Sequence, residues 1–169
     1  LLKFVLRLYQ ALAQWEAATT EKILESAAIN VDETSLRVDK KNYWIHVYSS
    51  GDLTLKFLDR KRGKEAIENI NIIPRYNGTI IHDCWSSYLS YNHCAHGLCG
   101  SHLVRELTHI IESNDYAWAL DMKTLLLHAC KKVSKSKKKR LSKAEYIILE
   151  NSYRNILNSG EKELPAIPD

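Results

Sequence analysis

No apolar run in this sequence approaches the ~20 residues a helix needs to cross a bilayer. Its opening, Leu1-Leu2-Lys3-Phe4-Val5-Leu6, lacks the basic start and the cleavage signal of a secretory leader. A membrane role is therefore not expected. A disulfide framework is missing as well. Four cysteines, at 84, 94, 99 and 130, are scattered among seven histidines, which favours a reducing, intracellular setting. Charge of one sign is not in excess either: a net +4 is mild and does not by itself demand a polyanionic partner. Internal repeats are absent. With no initial methionine and an end at Pro165-Ala166-Ile167-Pro168-Asp169, the sequence reads as a segment of something longer.

What is present suffices for a core. At 169 residues and 45% hydrophobic, the chain predicts one domain, or one domain with an appendage. Residues 1–27 carry a helical stripe, Leu1, Val5, Leu8, Leu12 and Trp15, that predicts a helix packed on a neighbour. Ile29–Val38 is rich in β-branched residues and predicts a mostly buried strand. Tyr43–Tyr48 and Leu53–Leu58, joined through Ser49-Ser50-Gly51-Asp52, complete an antiparallel meander of three strands. A short helix at Arg62–Ile70 and a strand at Gly78–Asp83 follow, then a short helix at Trp85–Tyr91 and a short strand at Ala95–Cys99. Leu103, Leu107, Ile110 and Ile111 mark an amphipathic helix, and the pattern is helical from Asn114 to the end. Ser142-Lys143-Ala144-Glu145 has capping-box spacing. A meander, a helix and a returning strand open a ribonuclease-H-like fold. The expected class is α/β, a mixed sheet with flanking helices, divided into a helical segment 1–28, a core 29–112 and a helical extension 113–169.

The chemistry centres on two acids. Asp32 lies inside the first strand, where a carboxylate is costly unless a cation faces it. Asp83 ends a later apolar strand, at the carboxyl edge where open α/β sheets place their ligands. Two such aspartates suit hard divalent cations held by oxygen, Mg²⁺ or Mn²⁺. Either one alone would more simply cap a turn or pair with a lysine. Glu33 should point to the opposite face from Asp32. Glu106 and Glu150 fall on expected helices, and a solvated surface role is the simpler one for Glu150. A second candidate is His93–His102, where Cys94, His96, Cys99 and His102 could complete a zinc site. Against zinc, Cys99 falls in an expected buried strand, where a thiol packs as a small hydrophobe. The basic run from Lys131 to Lys143, including Lys137, Lys138, Lys139 and Arg140, could follow a DNA backbone or form a solvated loop between helices. Trp44, Trp85 and Tyr88 read most simply as packing residues, though Trp85 and Tyr88 could shape a DNA groove.

Several of these motifs, in this order, resemble the transposases of the insertion sequence 66 family. They are Val31-Asp32-Glu33-Thr34-Ser35-Leu36-Arg37-Val38, Tyr43-Trp44-Ile45-His46-Val47 and Arg60-Lys61-Arg62-Gly63-Lys64-Glu65-Ala66, then His82-Asp83-Cys84-Trp85-Ser86-Ser87-Tyr88 and Leu98–Leu107. The resemblance covers about residues 29 to 130. It implies a DDE-type transposase in which three carboxylates hold two divalent cations for attack on a DNA phosphodiester. Asp32 matches the first acid and Asp83 the second. The third, a glutamate in an Asn-Asn-x-x-Glu context on a late helix, has no counterpart here, so a site of two acids and little turnover is expected. Cys99, His102 and Arg105 match a Cys-x-x-His-x-x-Arg motif. This speaks for a role near the active centre, with His102 a positioning group and Arg105 a phosphate contact. Arg62 belongs to the family pattern, so Arg62 and Lys64 are candidate DNA contacts. DNA ends and target DNA are the implied partners, with a homo-oligomer as the working assembly and the bacterial cytoplasm, at the nucleoid, as its place.

Overall fold

The computed structural model describes residues 1–164; Pro165–Asp169, the last stretch of the expected helical extension, lies outside the described residues. The chain divides into two compact units, Leu1–Cys99 and the helices from Gly100 onward. In the first, α1 (Leu2–Leu24) precedes β1 (Ala28–Val38), β2 (Lys41–Ser50) and β3 (Leu53–Asp59). Next come α2 (Lys64–Ile70), a 3-10 turn at Ile73–Arg75, β4 (Thr79–His82), the four-residue α3 (Ser86–Leu89) and β5 (Ala95–Leu98).

The five strands form one sheet in the order β3-β2-β1-β4-β5. β1, β2 and β3 are the antiparallel meander, while β4 runs parallel to β1 and β5 parallel to β4. This mixed sheet, with its helical return from β3 to β4, is the ribonuclease-H-like arrangement expected above. Period-two alternation sets the faces. Ile29 and Val31 of β1, Tyr48 of β2, Leu55 of β3 and Ile80 of β4 are buried together with Ile23, Ile67, Ile72, Ile73, Tyr76 and Tyr88. Asn30, Asp32, Ile81 and Asp83 fall on the other parity, the second face. Gly78 must be glycine. A Cβ there would run into the Tyr76 ring and lie 2.8 Å from the Ala27 carbonyl oxygen.

Two expectations need correction. The stripe on α1 is not packed: Leu1, Val5, Leu8, Leu12 and Trp15 are 45% to 101% exposed. A 23-residue helix is about 35 Å long, and only its last turns, through Thr19 and Ile23, are buried. Arg75 pairs with Glu21 at 2.8 Å and the Tyr76 hydroxyl donates to the Ser26 carbonyl at 2.8 Å, both at that end. Nor is β1 mostly buried. β4 pairs only with Ala28–Asn30 and β3 flanks β2 only as far as Trp44, so β1 beyond Ser35 continues as a two-stranded ribbon with β2, and Leu36 and Val38 are exposed.

The second unit contains α4 (Gly100–Asn114), α5 (Ala117–Lys135) and α6 (Lys143–Glu163). Leu107, Ala119 and Met122 are its core, flanked by Ile110, Trp118, Leu126 and Ile156. The capping box forms: Ser142 Oγ accepts from the Glu145 N–H while the Glu145 carboxylate accepts from the Ser142 N–H. The basic run is only partly a loop, because α5 continues through Lys135; Lys137–Arg140 lie in the connection to α6.

Candidate functional site

Asp32 lies within β1, and Asp83 follows directly on β4, the strand that runs parallel to it. The register pairs Ala28 with Thr79, Ile29 with Ile80 and Asn30 with Ile81. Asp32 and Asp83 each sit two residues past the last of these pairs, with the same offset. Asp32 is exposed and Asp83 half-buried. One oxygen of each is engaged locally, Asp32 Oδ1 by the Glu33 N–H at 2.9 Å and Asp83 Oδ1 by the Trp85 N–H at 3.1 Å. The other oxygen of each has no hydrogen bond among the described residues. Two hard oxygen donors at the ends of neighbouring pairings, each with an unused atom, fit part of a divalent-cation site. Among the described residues, no group of three or more His, Cys, Asp or Glu gathers as a metal site.

The loop that carries Asp83 is held firmly. Cys84 has φ +72°, a left-handed conformation that a non-glycine residue adopts only when its surroundings enforce it. Its N–H donates to His82 Nδ1 at 3.1 Å. His82 Nε2 must then carry the proton it gives to His96 Nδ1 at 2.9 Å, and His96 Nε2 donates to the Tyr91 carbonyl at 2.8 Å. Both rings are thereby neutral. Burial, and then the neighbouring His96, push the His82 pKa down, consistent with that tautomer.

On the core face one residue further along β1, the Glu33 side chain is 1% exposed. Arg62, from the segment before α2, donates to its Oε1 through Nε at 2.9 Å and through a terminal nitrogen at 2.8 Å. The Tyr88 hydroxyl of α3 donates to Oε2 at 2.5 Å. The guanidinium carbon lies over two indoles, 5.0 Å from the Trp44 ring centre and 4.3 Å from that of Trp85. Burial first, then the bond to Glu33, raise the Tyr88 pKa far above the ordinary phenol value. Sequence reasoning placed Glu33 on the correct face but missed this cluster. Its signal was an acid at a buried parity, Ile29-x-Val31-x-Glu33, which requires a cation nearby.

The remaining candidates divide between the units. Lys64 Nζ lies 5.4 Å from the Tyr91 ring centre. Cys99 directly follows β5, and its N–H donates to the His82 carbonyl at 2.7 Å. Cys94 is buried and donates to the Tyr91 carbonyl. With both nitrogens of His96 engaged, that ring has no lone pair to offer zinc. In the second unit His102, Arg105, Glu106 and His109, spaced along one side of α4, line a groove of about 550 Å³ with Ile110. Glu150 accepts two bonds from Arg154. Lys138 and Arg140 border a cavity of about 410 Å³ before α6, whereas Lys139 turns back to donate to the Ser134 carbonyl.

A comparison with curated proteins finds no match. Among solved structures, the chain is similar to the integrase catalytic core domain of HTLV-2, solved in complex with magnesium in a trimeric form. The two share 16% identity over 77% of this chain and 81% of that one, with a TM-score of 0.34. The sequence model described as "Transposase IS66 family" matches residues 1–167, nearly the whole sequence. This chain belongs to the IS66 family of transposases.

Proposed function

We propose that this chain supplies Asp32 and Asp83 as two carboxylates of a centre that cuts and joins DNA phosphodiesters, holding Mg²⁺ or Mn²⁺ between them. The observation that carries the reading is that each lies two residues past the last paired rung of two adjacent parallel strands, with an unengaged oxygen. When bound, paired divalent cations activate the attacking oxygen and stabilise the leaving one in an in-line displacement. The chain's own residues do the placing. β1 presents Asp32, and the Asp83 N-side strand and the strained Cys84 turn present Asp83. Cys99 is assigned a packing role directly after β5. Lys64 and the Lys137–Arg140 connection are assigned to the DNA backbone, where each neutralised phosphate adds to a salt-dependent affinity. Arg62, whose guanidinium is occupied by Glu33, is better assigned to building the site than to touching DNA. DNA ends and target DNA are the partners, and the working assembly is a homo-oligomer in the bacterial cytoplasm.

A second reading rests on one observation: no third acid joins the two aspartates among the described residues. In that reading the segment binds DNA and turns nothing over. Mn²⁺ titration followed by electron paramagnetic resonance, with a supercoiled-plasmid assay in parallel, separates the two. The expected result is that Asp32→Asn and Asp83→Asn each weaken Mn²⁺ binding at least tenfold, and that any nicking disappears with them. Binding unchanged by either substitution removes the metal-site reading. Binding without nicking at any protein concentration favours the DNA-binding one.

A further inference from the structure

The two acid-bearing segments are joined through the opposite face of the sheet. Glu33 is the peptide neighbour of Asp32. Arg62 grips Glu33 through two nitrogens and lies with its guanidinium 4.3 Å from the Trp85 ring centre. Trp85, in turn, donates its backbone N–H to the carboxylate of Asp83. A second arm runs from Glu33 through the Tyr88 hydroxyl to α3, which begins directly after Trp85, and Tyr88 also packs edge-on against Trp85 at 5.7 Å. Both arms start on β1 and end on the loop that follows β4.

This matters because the β-ladder does not reach the acids. Backbone pairing between β1 and β4 ends at Asn30 and Ile81. Beyond that point β1 follows β2, and the chain after His82 leaves the sheet through the positive-φ turn at Cys84. Sheet hydrogen bonds therefore do not fix the separation of Asp32 and Asp83. A buried carboxylate oxygen held by two guanidinium nitrogens, with the guanidinium over two indole rings, is a stiff substitute, since the planar group and the two ring faces restrict Arg62 far more than a lysine would be restricted. The aromatic contacts are also direction-specific, with a cation favoured over the ring face.

We infer that Glu33, Arg62, Tyr88 and Trp85 form a tether that sets the spacing of Asp32 and Asp83, so that these four are positioning residues for the divalent cation and none of them is a ligand to it. The inference rests on the metal-site reading above. Tyr88→Phe removes one arm while keeping the ring, and Arg62→Lys keeps the charge while removing the fork and the stacking. Two quantities are measured well below the melting temperature of each variant: amide hydrogen exchange at Cys84 and Trp85 by NMR, and Mn²⁺ affinity.

In both variants the Cys84 and Trp85 amides should exchange at least tenfold faster, with those of Val47 and Tyr48 in β2 unchanged, and Mn²⁺ binding should weaken about fivefold to tenfold. Should Arg62→Lys fail to fold, Tyr88→Phe alone decides. Parental exchange at Cys84 and Trp85 overturns the tether. So does acceleration that spreads equally into β2, which would mark a general loosening. Local acceleration with parental Mn²⁺ affinity overturns its claim on the metal. If the parent chain binds no Mn²⁺, or if Asp32→Asn binds it as well as the parent does, the metal-site reading fails first and takes this inference with it.

Discussion

Asp32 and Glu33 are consecutive carboxylates on one strand with opposite fates. Asp32 is exposed on the second face, with one oxygen bonded to the next N–H and one unused. Glu33 is buried on the core face, and both of its oxygens are engaged, by Arg62 and Tyr88. The pleat alone separates them, since successive side chains leave a strand on opposite sides. An acid kept in water retains donor capacity for a ligand from outside, whereas a buried acid must be satisfied by the protein itself. On the core face the polar groups are structural; on the second face they remain available.

The most disruptive test of this contrast is Arg62→Ala, which leaves Glu33 buried without its cation. Breaking a fully buried pair costs about 3–5 kcal/mol. Because Arg62 is 43% exposed, we expect about 2–4 kcal/mol here, read by urea unfolding. A loss under about 1 kcal/mol would mean that Glu33 is not dependent on Arg62.

Rigidity of the two faces is compared by a pair of glycines. Gly78→Ala forces a Cβ against the Tyr76 ring and the Ala27 backbone, and should cost about 2–3 kcal/mol. Gly97→Ala, on the second face, meets only the end of the flexible Ile81 side chain, 2.5 Å away, and should cost about 1 kcal/mol or less. Equal losses in thermal unfolding would remove the distinction.

A smaller effect is expected at the exposed acid itself. Asp32→Asn should change stability by no more than about 0.5 kcal/mol, as surface substitutions usually do, even as Mn²⁺ binding is lost. Large destabilisation would show Asp32 to be structural after all.

The mildest test uses a third carboxylate, Glu145, which is half-buried yet fully engaged like Glu33. The Ser142 N–H and hydroxyl and the Lys132 ammonium lower its pKa to about 2 from the model-compound value of 4.5. A depressed carboxylate stabilises the fold above its unfolded pKa, and that stabilisation is lost as pH falls through the folded value. Protection of the amides in the first turn of α6 should therefore hold at pH 5 and decline between pH 4.5 and 2. In Glu145→Gln this decline should be absent. An unchanged titration in that variant would assign the effect to another group.

Much of this was legible beforehand because it depends on local pattern. Alternating apolar residues placed β1 to β5 within a residue or two, and Ser142 and Glu145 marked the start of α6 by their spacing. Asp32 was expected inside β1 and Asp83 at the tip of a later parallel strand, but the register that gives them a common offset from Ile29 and Ile80 came only with the structure. The α1 stripe misled, because periodicity names a face without saying what covers it. Continuation of α5 through Lys135 was missed because lysine propagates a helix well even though it reads as polar.

The sequence alone determined the order of elements, the parity that sends Asp32 one way and Glu33 the other, and membership in a transposase family. Only the tertiary structure decided that Arg62 would answer Glu33, that it would lie over two indoles, and that His82 and His96 would be linked as neutral rings. Such pairings join residues far apart in sequence. Their partners are chosen by the three-dimensional meeting of strands and loops, which no local spacing encodes.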